Sequence, residues 1–253
     1  MDADSRRQEI LTVARRDGSV SVTAIARVLT VSPETVRRDL RALEALGLVR
    51  RVQGGAHPVE SAGFETTLAT RTRQWVPQKT RIAAAAADLL GEAETVFIDE
   101  GFTPQLIAEA LPGDRPLTVV TASLATASCM ARRESAQVIL LGGRVRGGTM
   151  ATVDHWATAM LAECVIDLAY IGANGISREY GLTTPDPAVG AVKAQAIKSA
   201  RRHVLFGIHT KFGAVSFCRF AEPAQFETIV TDSALPAAEA QRYALLGPQV
   251  LRV

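Results

Sequence analysis

Lysine is nearly missing from this chain of 253 residues: there are four, Lys79, Lys193, Lys198 and Lys211, and none precedes position 79. Arginine therefore carries almost all of the positive charge, and each lysine is worth locating. Cysteine is scarce too. Cys129, Cys164 and Cys218 stand singly and far apart, which argues against a disulfide framework and against a thiolate zinc pattern. The four histidines form no H-x-x-x-H pair, and no metal or other cofactor is expected. The longest apolar stretch, near positions 82–90, is alanine-rich and interrupted by Asp88, too short and too weak to span a bilayer. The opening MDADSRRQEI is charged and lacks the apolar core of a signal peptide. These absences lead to the expectation of a reduced, cytoplasmic protein with no membrane segment.

What is present divides into two grammars. The net charge of +2 is small, but residues 1–58 hold ten arginines against seven acids. In that segment Ile10, Leu11, Val13 and Ala14 mark one helical face, ending at Asp17-Gly18. Val22, Ile25, Ala26 and Leu29 mark a second helix, closed by Thr30-Val31. A third starts at Ser32-Pro33, a hydroxyl cap followed by proline at the first helical position. It is expected to run to Leu46-Gly47, where glycine supplies a stop, and a strand from 48 leads into the Gly54-Gly55 turn.

From residue 79 short apolar runs alternate with helical stretches: TVFID (95–99), LTVVT (117–121), QVILLG (137–142), LAYIGA (168–173), HVLFG (203–207), TIVTD (228–232) and QVLRV (249–253). Continuous apolar strands separated by amphipathic helices predict an α/β domain with a mostly parallel sheet covered on both faces. The expected division is 1–57 for a winged helix-turn-helix, 58–78 for a polar linker, and 79–253 for the α/β domain.

The third helix carries the sharpest signal. Glu34, Arg37, Arg38 and Arg41 share one face at spacing i, i+3, i+4, i+7, opposite Val36, Leu40 and Leu43. A helix fits the DNA major groove, where arginine bonds guanine edges and phosphates. Ser32 and Thr35, near its start, can reach phosphates or base edges. A charged face is often only a solvated one, but two preceding helices and a following hairpin favour double-stranded DNA as the partner.

R-R-Q-E-I-L near the start and V-S-P-E-T-V-R-R-D-L-R-A-L-E-A-L-G-L-V-R-R-V-Q-G-G-A at 31–56 resemble the DeoR family of bacterial repressors. Lys79 before an alanine-rich helix, D-x-G-x-T at 99–103, L-T-V-V-T, L-L-G-G-R-V-R at 140–146, G-A-N-G-I at 172–176, Lys193 and T-K-F-G at 210–213 extend the resemblance over nearly the whole chain. It implies a homo-oligomeric repressor, a dimer or tetramer on repeated or palindromic operators. Its C-terminal domain would be similar to sugar-phosphate isomerase folds and sense a phosphorylated sugar or related metabolite. It also places the wing's arginine and glycine pair at Arg51, Gly54 and Gly55, with Gln53 beside them.

Three loops are candidates for a phosphate or sugar cradle: Asp99-Glu100-Gly101-Phe102-Thr103, Thr121 to Ser123, and Gly142-Gly143-Arg144. Glycine admits close approach of a backbone N–H, and hydroxyls add neutral bonds. Arg144, Lys193 and Lys211 could neutralise an anion, and Asn174 joins them from the A-N-G turn. Lys79 is read as a helix-start residue. Several positions depart from the family pattern. Glu100 replaces a small hydroxyl residue, Phe102 a threonine, Ala122 an asparagine, Asp154 a glycine, and Ile208 an aspartate. Each change removes a small or hydrogen-bonding group near the presumed pocket, or alters its charge.

The principal rival is an isomerase with a DNA-binding attachment, in which Asp99 and Glu100 act as an acid–base pair. Adjacent residues of an extended strand point to opposite faces, which weighs against their convergence. Gly101 stands without a G-x-G-x-x-G context. A third reading is a regulator whose degenerate sensor answers to a partner protein.

Overall fold

The computed structural model describes residues 2–45, 48–58 and 68–253. The predicted helix stop at Leu46-Gly47 and residues 59–67 of the predicted linker lie outside the described residues. The chain divides into two compact units, 1–74 and 75–253.

In the first unit α1 (Ala3–Asp17) begins at Asp2, whose carboxylate accepts the Asp4 and Ser5 N–H groups. β1 (Val20–Ser21) leads directly into α2 (Val22–Val28), and α3 (Pro33–Ala45) follows. β2 (Val49–Val52) and β3 (Gly55–Pro58) form an antiparallel hairpin, and β1 adds to β3 on its other side. Ile10, Ala14, Ile25, Val36, Leu40, Leu43 and Val49 close one small apolar core. This is a winged helix-turn-helix. The short β1 is invisible in sequence because two residues carry no periodicity.

A short helix α4 (Leu68–Arg71) comes before the second unit, which starts with α5 (Val76–Ala87). Residues 76–78, predicted as linker, are thus the first turn of a helix, with Pro77 suited to that position. The chain continues through β4 (Thr95–Ile98), α6 (Phe102–Ala110), β5 (Leu117–Thr121), α7 (Leu124–Met130) and β6 (Ala136–Leu140). A hairpin of β7 (Arg144–Arg146) and β8 (Ala151–Val153) precedes α8 (His155–Ala162) and β9 (Ile166–Gly172). Next come β10 (Gly175–Ser177), β11 (Gly181–Thr184), α9 (Pro187–Ser199), β12 (Ala200–Phe206) and β13 (Cys218–Ala221). The last elements are β14 (Thr228–Thr231), α10 (Ala237–Ala244) and β15 (Gln249–Arg252).

All seven predicted apolar runs are strands of one parallel sheet, ordered β15-β14-β12-β9-β4-β5-β6. The continuous hydrophobicity of the inner strands follows from burial on both faces, whereas the edge strands β6 and β15 hold only half-buried and exposed residues. Phe97, Ala169, Ile171 and Leu205 pack with Leu161, Ala196 and Tyr243 from α8, α9 and α10. The alternate residues Val96, Ile98, Leu168, Tyr170 and Val204 pack with Ile82, Ile107 and Met130 from α5, α6 and α7. Each fully buried large side chain contributes on the order of 1.5–3 kcal/mol.

The order contains a reversal. From β4 the chain steps outward to β5 and β6, then returns to β9 on the other side of β4 and proceeds outward through β12, β14 and β15. The loops leaving β4 and β9 therefore diverge and open a crevice at the strands' carboxyl ends, where open α/β sheets place their ligands.

Candidate DNA-reading face and sensor site

On α3 the Ser32 hydroxyl accepts the Thr35 N–H at 3.1 Å and closes the helix start. Glu34 accepts from Arg37 at 3.2 Å and from Arg41 at 3.0 Å, so one carboxylate gathers two exposed guanidiniums. Arg37 first, then Arg41, holds the Glu34 carboxyl below its usual range. Arg38 is exposed on the same face and makes no ion pair among the described residues. The next residue, Asp39, is fully buried and receives Arg6 at 2.5 and 3.2 Å and Arg7 at 3.3 Å. Thus the R-R of the opening motif pins α1 to the back of α3, a role that sequence reading missed because the partners lie 33 and 32 positions away.

In the wing, Arg51 is bound to Glu44 of α3 by its backbone N–H at 3.0 Å and its guanidinium at 2.5 Å. Gln53 and Gly54 occupy the exposed tip, and Gly54 adopts φ +82°. Gly55 differs from its predicted neighbours. It is buried, and a Cβ there would stand 2.1 Å from the Val20 carbonyl oxygen. Its glycine is required for the close approach of β1 to β3.

The crevice is built around Asp99, which follows β4 and is buried. One carboxylate oxygen accepts the Glu100 N–H at 2.8 Å. The other accepts the Gly172 N–H at 2.8 Å and an ion-paired bond from Lys193 of α9. Lys193 also donates to the Gly172 carbonyl at 3.2 Å, and its ammonium lies 5.9 Å from the Phe220 ring centroid. Asp99, Gly172 and Lys193 therefore meet across the β4–β9 reversal. Asn174 is buried close by in sequence and accepts the Thr184 hydroxyl at 3.1 Å.

Gly101 adopts φ +118° just before α6, whose first residues are Phe102 and Thr103. Thr121 and Ser123 are buried and already employed. The Thr121 hydroxyl donates to the Ile98 carbonyl at 2.7 Å and accepts the Ser123 N–H at 3.0 Å. The Ser123 hydroxyl accepts the Thr126 N–H at 3.2 Å as the cap of α7. Gly142 donates its N–H to the Met160 sulfur at 3.1 Å. Gly143 sits at φ +130° with Val153 against its α-carbon.

Arg144 points outward to Asp154 at 2.9 Å rather than to Asp99. Asp154, at the position where the family pattern has glycine, holds φ +80° and ψ −173°. Lys211 lies on a separate single turn, His209–Lys211, and is partly exposed. That turn is fastened by Asp232, which accepts the His209 N–H at 2.6 Å and meets its Nδ1 at 2.7 Å. Trp75 packs edge-on against the His209 ring, centroids 5.0 Å apart.

Two cations near the crevice were not predicted as site residues. Arg146 pairs at 2.9 Å with Asp186, the N-cap of α9, and bonds Thr149 at 3.1 Å. Lys79 is buried in the first turn of α5, its ammonium 5.7 Å from the Phe102 ring centroid. The rarity of lysine pointed to it, and its place at a helix start concealed it.

The DeoR C terminal sensor domain model matches residues 75–233, and the DeoR-like helix-turn-helix domain model matches residues 6–62. The chain belongs to the DeoR family. A DeoR-type relative, the HTH-type transcriptional regulator GlpR of Haloferax volcanii, is 35% identical over 94% of this chain and 92% of its own length. The glycerol-3-phosphate regulon repressor of Haemophilus influenzae is 32% identical over 91% of this chain and 90% of that protein. Among solved structures, ribose 5-phosphate isomerase A of Neisseria gonorrhoeae is similar over 54% of this chain and 53% of that one, with 16% identity and a TM-score of 0.39. The protein is thus a helix-turn-helix transcriptional regulator, and the isomerase reading falls with that assignment. No helix among the described residues is long and apolar enough to cross a membrane.

Proposed function

We propose that this DeoR-family protein is a repressor of a carbohydrate-metabolism operon. In this reading it binds operator DNA as a homo-oligomer and is controlled by a sugar phosphate, sugar or polyol in the β4–β9 crevice. The observation that carries the DNA half is the exposed face of α3. There Ser32, Glu34, Thr35, Arg37, Arg38 and Arg41 form one surface, and the wing supplies Arg51, Gln53 and Gly54. Gly55 shapes the wing from beneath. Arg38 is the arginine best placed to read a base, because Glu34 engages its two neighbours. Support for the sensor half comes from the polar groups Asp99, Lys193 and Asn174, brought to the reversal point of an otherwise apolar sheet. An effector that weakens DNA binding must, by linkage, bind the DNA-free state more tightly by the same factor.

The test of the DNA half is fluorescence anisotropy on a duplex selected from random sequence by the wild-type protein. Arg38→Ala should lose specific binding, with the slope of log affinity against log salt reduced by about one if a phosphate contact is removed. Circular dichroism should be unchanged, because the side chain is exposed. Equal affinity of variant and parent would overturn the assignment of α3 as the reading helix.

A further inference from the structure

The carboxyl end of the sheet is rich in charge and almost wholly self-compensated. Lys193 pairs with Asp99, Arg144 with Asp154, Arg146 with Asp186, and His209 with Asp232. Glu100 lies in the loop between β4 and α6. It is only 8% exposed, directly follows Asp99, and spends its own N–H on the Asp99 carboxylate. A carboxylate so deeply buried requires a counter-charge. Lys193 is committed to Asp99. Lys79 is a buried cation on α5, which packs along α6, and is likewise 8% exposed. Its ammonium lies beside Phe102, two residues beyond Glu100. Glu100 also sits next to the start of α6, where free N–H groups and the helix dipole favour a negative charge and no side chain caps the helix.

We infer that Glu100 is paired with Lys79 as a built-in anion at the mouth of the crevice, and that this pair makes the sensor select an uncharged polyhydroxylated ligand over its phosphate ester. The inference rests on the sensor reading above and narrows it. A phosphate entering this loop meets a like charge and competes for a cation already neutralised. A hydroxyl meets neither obstacle, and Asp99 and Asn174 offer it acceptors and donors. Phe102 adds to the selectivity, since it places an aromatic ring where the family pattern has a second hydroxyl.

The experiment uses the full chain as wild type, Glu100→Gln, Glu100→Ser and Lys79→Met. Each is titrated calorimetrically with inorganic phosphate and with matched pairs: glycerol and glycerol 3-phosphate, ribose and ribose 5-phosphate, sorbitol and sorbitol 6-phosphate. Wild type should bind at least one free polyol or sugar in preference to its ester. Both Glu100 variants should gain affinity for inorganic phosphate by about tenfold or more. Lys79→Met should be less stable than wild type, and adding Glu100→Gln to it should restore part of the loss, a coupling that two unrelated sites would not show. A phosphate ester that binds wild type as tightly as Glu100→Gln would overturn the role of Glu100 while leaving the sensor reading intact. Binding of no member by either protein would instead remove the crevice as the sensor, and this inference with it.

Discussion

Replacing Asp154 by glycine should make the protein more stable, although it deletes an ion pair. Asp154 holds φ +80° and ψ −173°, a region essentially reserved for glycine, where another residue stores about 1–3 kcal/mol of strain. Its carboxylate does not cap α8 and instead accepts from Arg144 at 2.9 Å, with Arg144 exposed and Asp154 about one-third exposed. Such an exposed pair contributes about 0.2–1 kcal/mol. Glycine has more conformational freedom to lose on folding, which costs about 0.5–1 kcal/mol. The balance favours Asp154→Gly by about 1 kcal/mol, or roughly 2–4 °C in Tm for a domain of this size. Asp154→Ala is the control, because it loses the pair and keeps the strain. In urea unfolding followed by circular dichroism, the glycine variant should exceed the alanine variant by about 1–2 kcal/mol. Equal stability of the two would refute the claim that the Asp154 backbone is strained.

Gly143→Ala should act in the opposite sense, since φ +130° and a Cβ only 2.2 Å from the Val153 carbonyl oxygen force the β7–β8 hairpin apart. A loss of about 2 kcal/mol or more is expected in the same urea assay, and an unchanged midpoint would refute it. The Asp167 carboxyl is held below its ordinary value, first by the Thr95 hydroxyl, then by the Thr95 and Glu94 N–H groups and Arg201. Because the folded-state value is the lower one, its contribution is fully present above the unfolded value near pH 4 and is lost as pH falls further. Asp167→Asn should therefore be less stable than wild type at pH 7, with the gap narrowing below about pH 4. A gap independent of pH would sink the electrostatic account.

The inner parallel strands were legible because burial on both faces demands uninterrupted apolar residues, and runs such as LTVVT and TIVTD have no other use. The edge strands β6 and β15 show the same apolar runs although they are only half-buried. The small antiparallel pieces were not. β7, β8, β10, β11 and β13 are three or four residues long and are fixed by contacts distant in sequence, as where β13 pairs with β11. The same limit applied to charge. The basic stripe on α3 was visible at helical spacing, whereas the Arg6–Asp39 pair behind it spans 33 positions. Among the crevice candidates, Asp99 and Lys193 prove to touch, while Arg144 and Lys211 hold separate positions. Sequence order cannot distinguish these cases, because every one of them sits at the end of a strand or on the helix beyond it.

The bond between Asp99 and Lys193 joins residues 94 positions apart, one from each side of the sheet's reversal. Contacts of such separation are made only after the intervening chain has closed its loop, and that closure is slow. The crevice therefore exists only in a completed domain. A chain interrupted after β6 has strands β4, β5 and β6 in order but lacks half the site. Under the proposed function, a small molecule bound there would stabilise the finished fold alone, so its supply would set how much intact regulator persists.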